Sequence, residues 1–282
     1  MSLSTTAWRL GPALTVGEYT ILSSVKNPIP RACRRKIGRA MADYAMLADG
    51  DRVLVAVSGG IDSLVLARVL QLWKTRAPIT YVVHAIHIDM QPENNGPGTV
   101  ARRVQAALQR HGLSCTILPA AWTPDEEAAL GDRVKDVCFQ CARSRRTQLF
   151  AHARKHQYHT LALGHHRDDI IETFFLNLLH AGNLSTMVPK QQLFSGRLSI
   201  IRPLAYLSKN QVQQIGQALF LQPIRSNCPL SENTSRRRVH EIVSDIEQRL
   251  PGAREHIFAA LANIRPDYLL DRQQRNDYAN RS

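Results

Sequence analysis

Three short segments of this chain hold residues whose types and spacing can do chemistry. The first is Ser58-Gly59-Gly60-Ile61-Asp62-Ser63. Two adjacent glycines let a backbone approach a phosphate closely. A helix beginning just beyond them would offer unpaired N–H groups and the positive end of its dipole. Ser58 and Ser63 add hydroxyl donors. Asp62 adds negative charge, which a simple phosphate cradle does not need, so it points to a bound Mg²⁺ or to orientation of a reacting group. No Gly-Lys-Ser/Thr follows, and the segment is therefore not a Walker A loop. The plainer alternative is a glycine-rich turn with Asp62 near a helix start.

The second segment is Gly164-His165-His166-Arg167-Asp168-Asp169, followed by Glu172 and Thr173. Histidines and paired carboxylates in such a run can ligate Mg²⁺ or hold a nucleotide, and the acids also favour a helix N-terminus. The third is Cys138-Phe139-Gln140-Cys141, with Arg143, Arg145 and Arg146 close behind and Cys228 far downstream. C-x-x-C spacing lets two thiolates meet one metal centre, and by itself it fits zinc, an iron–sulfur cluster or a redox pair. A structural zinc site wants four protein ligands; here the count stops at three unless Cys33 or a histidine joins. Cys115 falls in an expected strand and reads as a buried apolar residue.

The elements around these segments follow a regular alternation. DRVLVAV (51–57), ITYVVHAIHID (79–89), SCTILPA (114–120), HTLALG (159–164) and LSIIRPL (198–204) are short apolar runs rich in β-branched residues, read as buried strands. Helical patterns lie between them at 62–74, 99–112, from about Cys141 to Lys155, and from the second chemical segment onward. Strands alternating with helices of this length predict an α/β fold, a doubly wound parallel sheet. In such a sheet the ligand crevice lies at the carboxyl ends of the strands, where both the first and second segments fall. Beyond Leu207 the chain reads helical, with Pro223, Pro229, Pro251 and Pro266 as boundaries. Three regions are expected: a basic N-terminal arm (1–48), the nucleotide-binding sheet domain (49–206) and a helical C-terminal region carrying Cys228 (207–282).

Composition narrows the partners. The 282 residues carry 36 Lys+Arg against 23 Asp+Glu, a net charge of +13, which suits a polyanion. RACRRKIGR (31–39), RSRR (143–146) and SRRR (235–238) concentrate that charge; each is otherwise a solvated face. No apolar run reaches the length of a membrane span, so no membrane association is expected. Five cysteines, an odd number with one C-x-x-C, suit a reducing cytoplasm.

SGGIDS together with GHHRDDIIET resembles the PP-loop ATP pyrophosphatases, which cleave ATP between the α and β phosphates. The resemblance implies that Ala56, Ser58, Gly59, Gly60, Asp62 and Ser63 line the triphosphate, with Mg²⁺. It places His87, Gly164, His165 and Asp169 near the rest of the nucleotide. With CFQCARSRR, NCPL and PGAREHIFAALANIRPDYLLD added, residues from about Gly50 to Asp271 resemble the tRNA 2-thiocytidine synthetases. That group implies ATP, a [4Fe–4S] cluster on Cys138, Cys141 and Cys228, a tRNA substrate and a homodimer. Sulfur would come from a cysteine desulfurase or inorganic sulfide. Asp62, Arg145 and Asp169 become the catalytic candidates. Ser231 stands where the family's distal segment often has a second cysteine. Thiolation of uridine rather than cytidine, or a non-catalytic iron–sulfur protein that binds RNA or senses redox state, are the alternatives. The zinc-finger cysteines of the uridine-54 group are absent, and a lysidine synthetase would have no use for the cysteine trio.

Overall fold

The computed structural model describes residues 28–94, 96–123, 134–224 and 235–270. Six strands form one sheet in the order β3-β2-β1-β4-β6-β5. They are β1 (Asp51–Ala56), β2 (Tyr81–Asp89), β3 (Cys115–Pro119), β4 (Thr160–Ala162), β5 (Lys190–Leu193) and β6 (Leu198–Ile201). All neighbours pair in parallel except the β5–β6 hairpin. From β1 the chain builds outward first through β2 and β3, then on the other side through β4 and β6. The order therefore reverses between β1 and β4, and in sheets of this kind ligands bind outside the carboxyl ends of the strands at such a reversal.

Period-two alternation sorts the side chains to two faces. Val53 and Val55 join a core with α1 (Arg31–Asp43), α2 (Ile61–Trp73), α3 (Thr99–Gln109) and α6 (Lys209–Ala218). Leu54, Ile86 and Leu161 pack on the other face against Leu149, Phe150 and Ala153 of α4 (Val134–Lys155). Strands covered on both faces explain why the apolar runs show little polar alternation.

Three details differ from the sequence expectation. α1 falls within the segment expected as a basic arm, yet Cys33, Ile37, Ala40 and Met41 form an apolar stripe buried in the main core. Its charged residues occupy the other face. α4 begins at Val134 rather than near Cys141, so Cys138 and Cys141 lie within the helix instead of ahead of it. β5 was not anticipated, because Lys190-Gln191-Gln192-Leu193 is a polar edge strand with one neighbour and carries no apolar signature.

After α6, helices α7 (Ser235–Arg249) and α8 (Ala253–Ala260) pack on α5 (Arg167–Ala181). A small cluster of Ile171, Val239 and Val243, flanked by Phe175, Leu176, Ile257 and Phe258, holds them. Among the described residues no helix is long and apolar enough to cross a membrane.

Candidate active site

The loop after β1 is braced by its own hydroxyls. Ser58 N–H donates to Ser63 Oγ (3.1 Å), Ser63 Oγ–H donates to Gly60 O (2.8 Å), and Gly60 N–H reaches Ser58 Oγ (3.3 Å). Gly59 turns the chain at φ +95°, and a Cβ there would sit 3.1 Å from Ile224 O. Both the backbone angle and the space demand glycine. Ile224 N–H in turn donates to Gly59 O (2.9 Å). Beneath the loop, buried His87 holds Val57 O through Nδ1 at 2.7 Å. Burial lowers its pKa, opposed in part by that bond and by the charge of Asp89.

Gly164, just past β4, is pressed against the start of α2: an added Cβ would lie 3.0 Å from backbone atoms of Asp62 and Ser63. Any side chain would push the two chemical segments apart. This contact brings four carboxylates into one network. Asp62 receives Lys209 Nζ on both oxygens (2.7 and 2.8 Å). Asp169 caps α5 by accepting His166 N–H (3.0 Å) and pairs with Arg236 Nη2 (3.0 Å). Asp168 accepts Lys209 N–H (2.7 Å) and Arg254 Nη1–H (2.7 Å). Glu172 meets Arg236 Nε (3.2 Å) and His240 Nδ1 (2.7 Å). His166 sits buried among them, with Nε2 3.4 Å from Asp169 and 3.9 Å from Asp62, and Nδ1 3.6 Å from Asp168. At those separations it acts as a neighbouring dipole or charge more than as a bonded partner. Burial works against the charged form of Asp168. The His166 imidazole, the Lys209 N–H and the Arg167 charge outweigh it and hold this carboxyl far below the usual range.

Arg236 therefore reaches into the carboxylate network while its side chain stays 43% exposed, which sets it apart from the other arginines of the SRRR cluster. Arg236→Ala should lower stability by about 1–2 kcal/mol. That is less than a fully buried pair would lose, because the guanidinium is partly exposed. Arg238→Ala, on an exposed residue, should leave the urea midpoint in place and reduce the salt slope of RNA binding by about one unit. Paired urea and salt titrations separate the two effects.

Arg202, just past β6, is a buried cation, donating to His165 Nδ1 (3.2 Å) and Val188 O (2.5 Å). Because Nδ1 accepts, the imidazole carries its proton on Nε2 and is neutral. Burial, with Arg202 beside it, takes the pKa of His165 down to about 4. Burial and the charge of Arg146 take Arg202 down to about 10. A folded-state pKa below the unfolded value of about 6.5 means stability is intact above that pH and declines as pH falls towards 4. The pKa values of His84, His87, His111 and His152 are lowered by burial as well and add in the same direction. The urea midpoint should fall between pH 7 and 5, and His165→Gln, which can still accept from Arg202, should flatten that fall.

Cys138 and Cys141 are half-buried, one turn apart on α4. Arg145, one turn further, directs Nε to Cys141 O at 3.5 Å. No hydrogen bond or ion pair among the described residues joins Arg145 to Asp62 or Asp169. Cys33 is in the core, and Cys115 has its thiol pKa pushed up to about 11 by burial. Neither is a ligand candidate. Cys228 and Ser231 lie outside the described residues. The described ends on either side of that stretch are both fixed at this site: Ile224 on Gly59, and Arg236 on Asp169 and Glu172.

Sequence reasoning missed Lys209, Arg202, Arg236 and Arg254. Only Arg202 carried a readable signal, since it lies near the carboxyl end of an expected strand (198–204), where crevice residues fall.

Residues 31–246 match the PP-loop domain family. A tRNA-cytidine(32) 2-sulfurtransferase of Pseudomonas syringae is 37% identical over 252 residues, covering 89% of this chain and 90% of the relative. Another so named, from Methylococcus capsulatus, is 36% identical and covers 87% and 83% respectively. The chain belongs to this family. Its fold is also that of the U34-tRNA thiolase NcsA from Methanococcus maripaludis, solved with its [4Fe–4S] cluster. That likeness has a TM-score of 0.66 at 22% identity, over 83% of this chain and 77% of that one. The family match starts at Arg31, the first residue of α1, and runs into α7. The matched domain thus includes both the helix read from sequence as part of an arm and the arginine that binds Asp169.

Proposed function

We propose that this chain uses ATP and Mg²⁺ to thiolate a cytidine of tRNA at C2. One observation supports the reading beyond family membership: of the described residues on either side of Cys228, Ile224 bonds to Gly59 of the phosphate loop and Arg236 to Asp169. Cys228 follows Ile224 by four positions, a tether of at most about 14 Å. Two thiols one helical turn apart plus this third one fit a [4Fe–4S] cluster on Cys138, Cys141 and Cys228. When bound, such a cluster supplies one iron position free for exogenous sulfide.

The residues would work as follows. The backbone N–H groups of Gly59, Ile61 and Asp62, which the loop's own internal bonds leave over, would hold the β and γ phosphates at the α2 N-terminus. Asp62 and Asp169, held by Lys209 and Arg236 in this structure, would exchange those cations for Mg²⁺ when ATP binds, with Ala56, His87, Gly164 and His165 shaping the nucleotide pocket. The cytosine O2 attacks the α-phosphorus and pyrophosphate departs, leaving C2 bonded through oxygen to AMP. A sulfur nucleophile adds at C2, and AMP leaves with that oxygen. Activation is needed because a carbonyl oxygen is a poor leaving group from an aromatic base and AMP is a good one. Arg145 stabilises negative charge on the phosphate or activated oxygen. We place the enzyme in the cytoplasm as a homodimer, supplied with sulfur by a cysteine desulfurase or by sulfide.

The test is pyrophosphate release coupled to nucleoside mass spectrometry on tRNA incubated with ATP, sulfide and anaerobically reconstituted protein. 2-Thiocytidine with equimolar pyrophosphate is the expected result. 2-Thiouridine would replace the base, and binding of tRNA without pyrophosphate release would make the chain a non-catalytic RNA binder.

A further inference from the structure

On the face of the sheet covered by α4, two hollows share Gln148 as a common wall. The first, about 330 Å³, lies between Trp122 and the α4 residues Gln140, Arg143 and Thr147. The second, about 580 Å³, is lined by His84, His152, Lys155, His156 and Tyr158. Gln140 and Lys155, the last residue of α4, are fifteen positions apart, so the pair of hollows follows about 22 Å of helix. The trough starts beside the C-x-x-C and runs away from the phosphate loop, towards the amino ends of the strands.

Its lining is aromatic and basic. His152 lies tilted against His156 (ring centroids 4.3 Å) and nearly parallel to Tyr158 (6.3 Å), which is stacked with His84 (6.2 Å). Arg52 sits 5.0 Å over the Tyr158 ring. Both ring nitrogens of His84 are engaged, with Ser114 Oγ (2.9 Å) and Thr116 Oγ1 (2.8 Å), so this imidazole offers its face rather than a metal-binding atom. Gln148 fixes the wall bearing Trp122 by donating to Pro119 O (2.8 Å) and accepting from Ala121 N–H (2.9 Å). Arg143 makes no ion pair among the described residues, and no Asp or Glu among them lines either hollow.

We propose that this trough is a docking surface for a single strand of RNA, the stretch flanking the reacting base. Bases stack on Trp122 and on the histidine–tyrosine ladder, and phosphates meet Arg143 and Lys155. Flat rings at intervals along a basic channel are what unpaired nucleic acid requires, because every base has a face to stack and every linkage a charge to neutralise. The proposal rests on the RNA-thiolation reading but names a surface that the reaction itself does not need.

Full-length protein is titrated with a fluorescently labelled anticodon stem–loop RNA, without ATP, and anisotropy is read. Trp122→Ala and the double change Lys155→Ala/His156→Ala should each raise Kd about tenfold, while Trp122→Phe should stay near wild type. Lys155→Ala should also lower the salt slope by about one unit. Circular dichroism and the melting temperature check that each variant is folded. Wild-type RNA affinity in the folded alanine variants overturns the proposal. So does a pattern in which they keep RNA but lose sulfur transfer from a cysteine desulfurase, which would make the trough a protein-docking face. If wild-type protein binds the stem–loop through these residues but makes no thiolated nucleoside, the groove stands and the enzymatic reading fails.

Discussion

Asp62→Ala should reduce pyrophosphate release by at least about 10²- to 10³-fold at saturating ATP and tRNA, the scale seen when a preorganised charge is removed from a reacting phosphate or oxyanion. The chain should still fold. The Asp62 side chain is 30% exposed and its partner Lys209 is 39% exposed, so losing their ion pair costs at most about 1 kcal/mol. Lys209→Ala is the informative contrast. It removes the same ion pair but keeps the carboxylate, so a common loss of the pair would make both variants equal, whereas a role for the carboxylate itself makes Asp62→Ala far worse. Full turnover by a folded Asp62→Ala protein would remove this residue from the mechanism.

Changing any one of Cys138, Cys141 or Cys228 to serine should strip most of the iron from anaerobically reconstituted protein, against about four irons per chain in the parent. Serine is a poor iron ligand at neutral pH, and two thiolates do not hold a cubane. Cys115→Ser, at a half-buried thiol packed against the main core whose pKa is raised to about 11, should keep the iron. Thiolation should disappear with the cluster in the three variants while ATP binding persists. Iron retained by Cys228→Ser would defeat the assignment, and so would stoichiometric zinc in protein that thiolates at full rate.

The sheet was legible where burial on both faces left continuous β-branched runs, as in β1, β2 and β6. The polar edge strand β5 was silent because only one side of it is paired. The beginning of α4 was hidden for a different reason: the residues ahead of Cys138 carry no apolar period. The site was half legible. Gly59, Gly60, Asp62, Asp168 and Asp169 stand in two compact segments whose spacing states a local geometry. Their counter-ions do not: Lys209 pairs with Asp62 across 147 positions, Arg254 with Asp168 across 86 and Arg236 with Asp169 across 67. A long-range ion pair leaves no periodic trace in one sequence, so each arginine looked like one more element of a basic surface.

Those same pairings set an order of assembly on the ribosome. The sheet and the phosphate loop emerge first and can collapse as their strands are made. Until Arg236 and then Arg254 have been synthesised, though, the start of α5 carries Asp168, Asp169 and Glu172 with much of their balancing charge missing. A nascent chain stalled before residue 235 should therefore hold a half-formed nucleotide site that repels triphosphate. The protein becomes competent for ATP only when its C-terminal helices arrive.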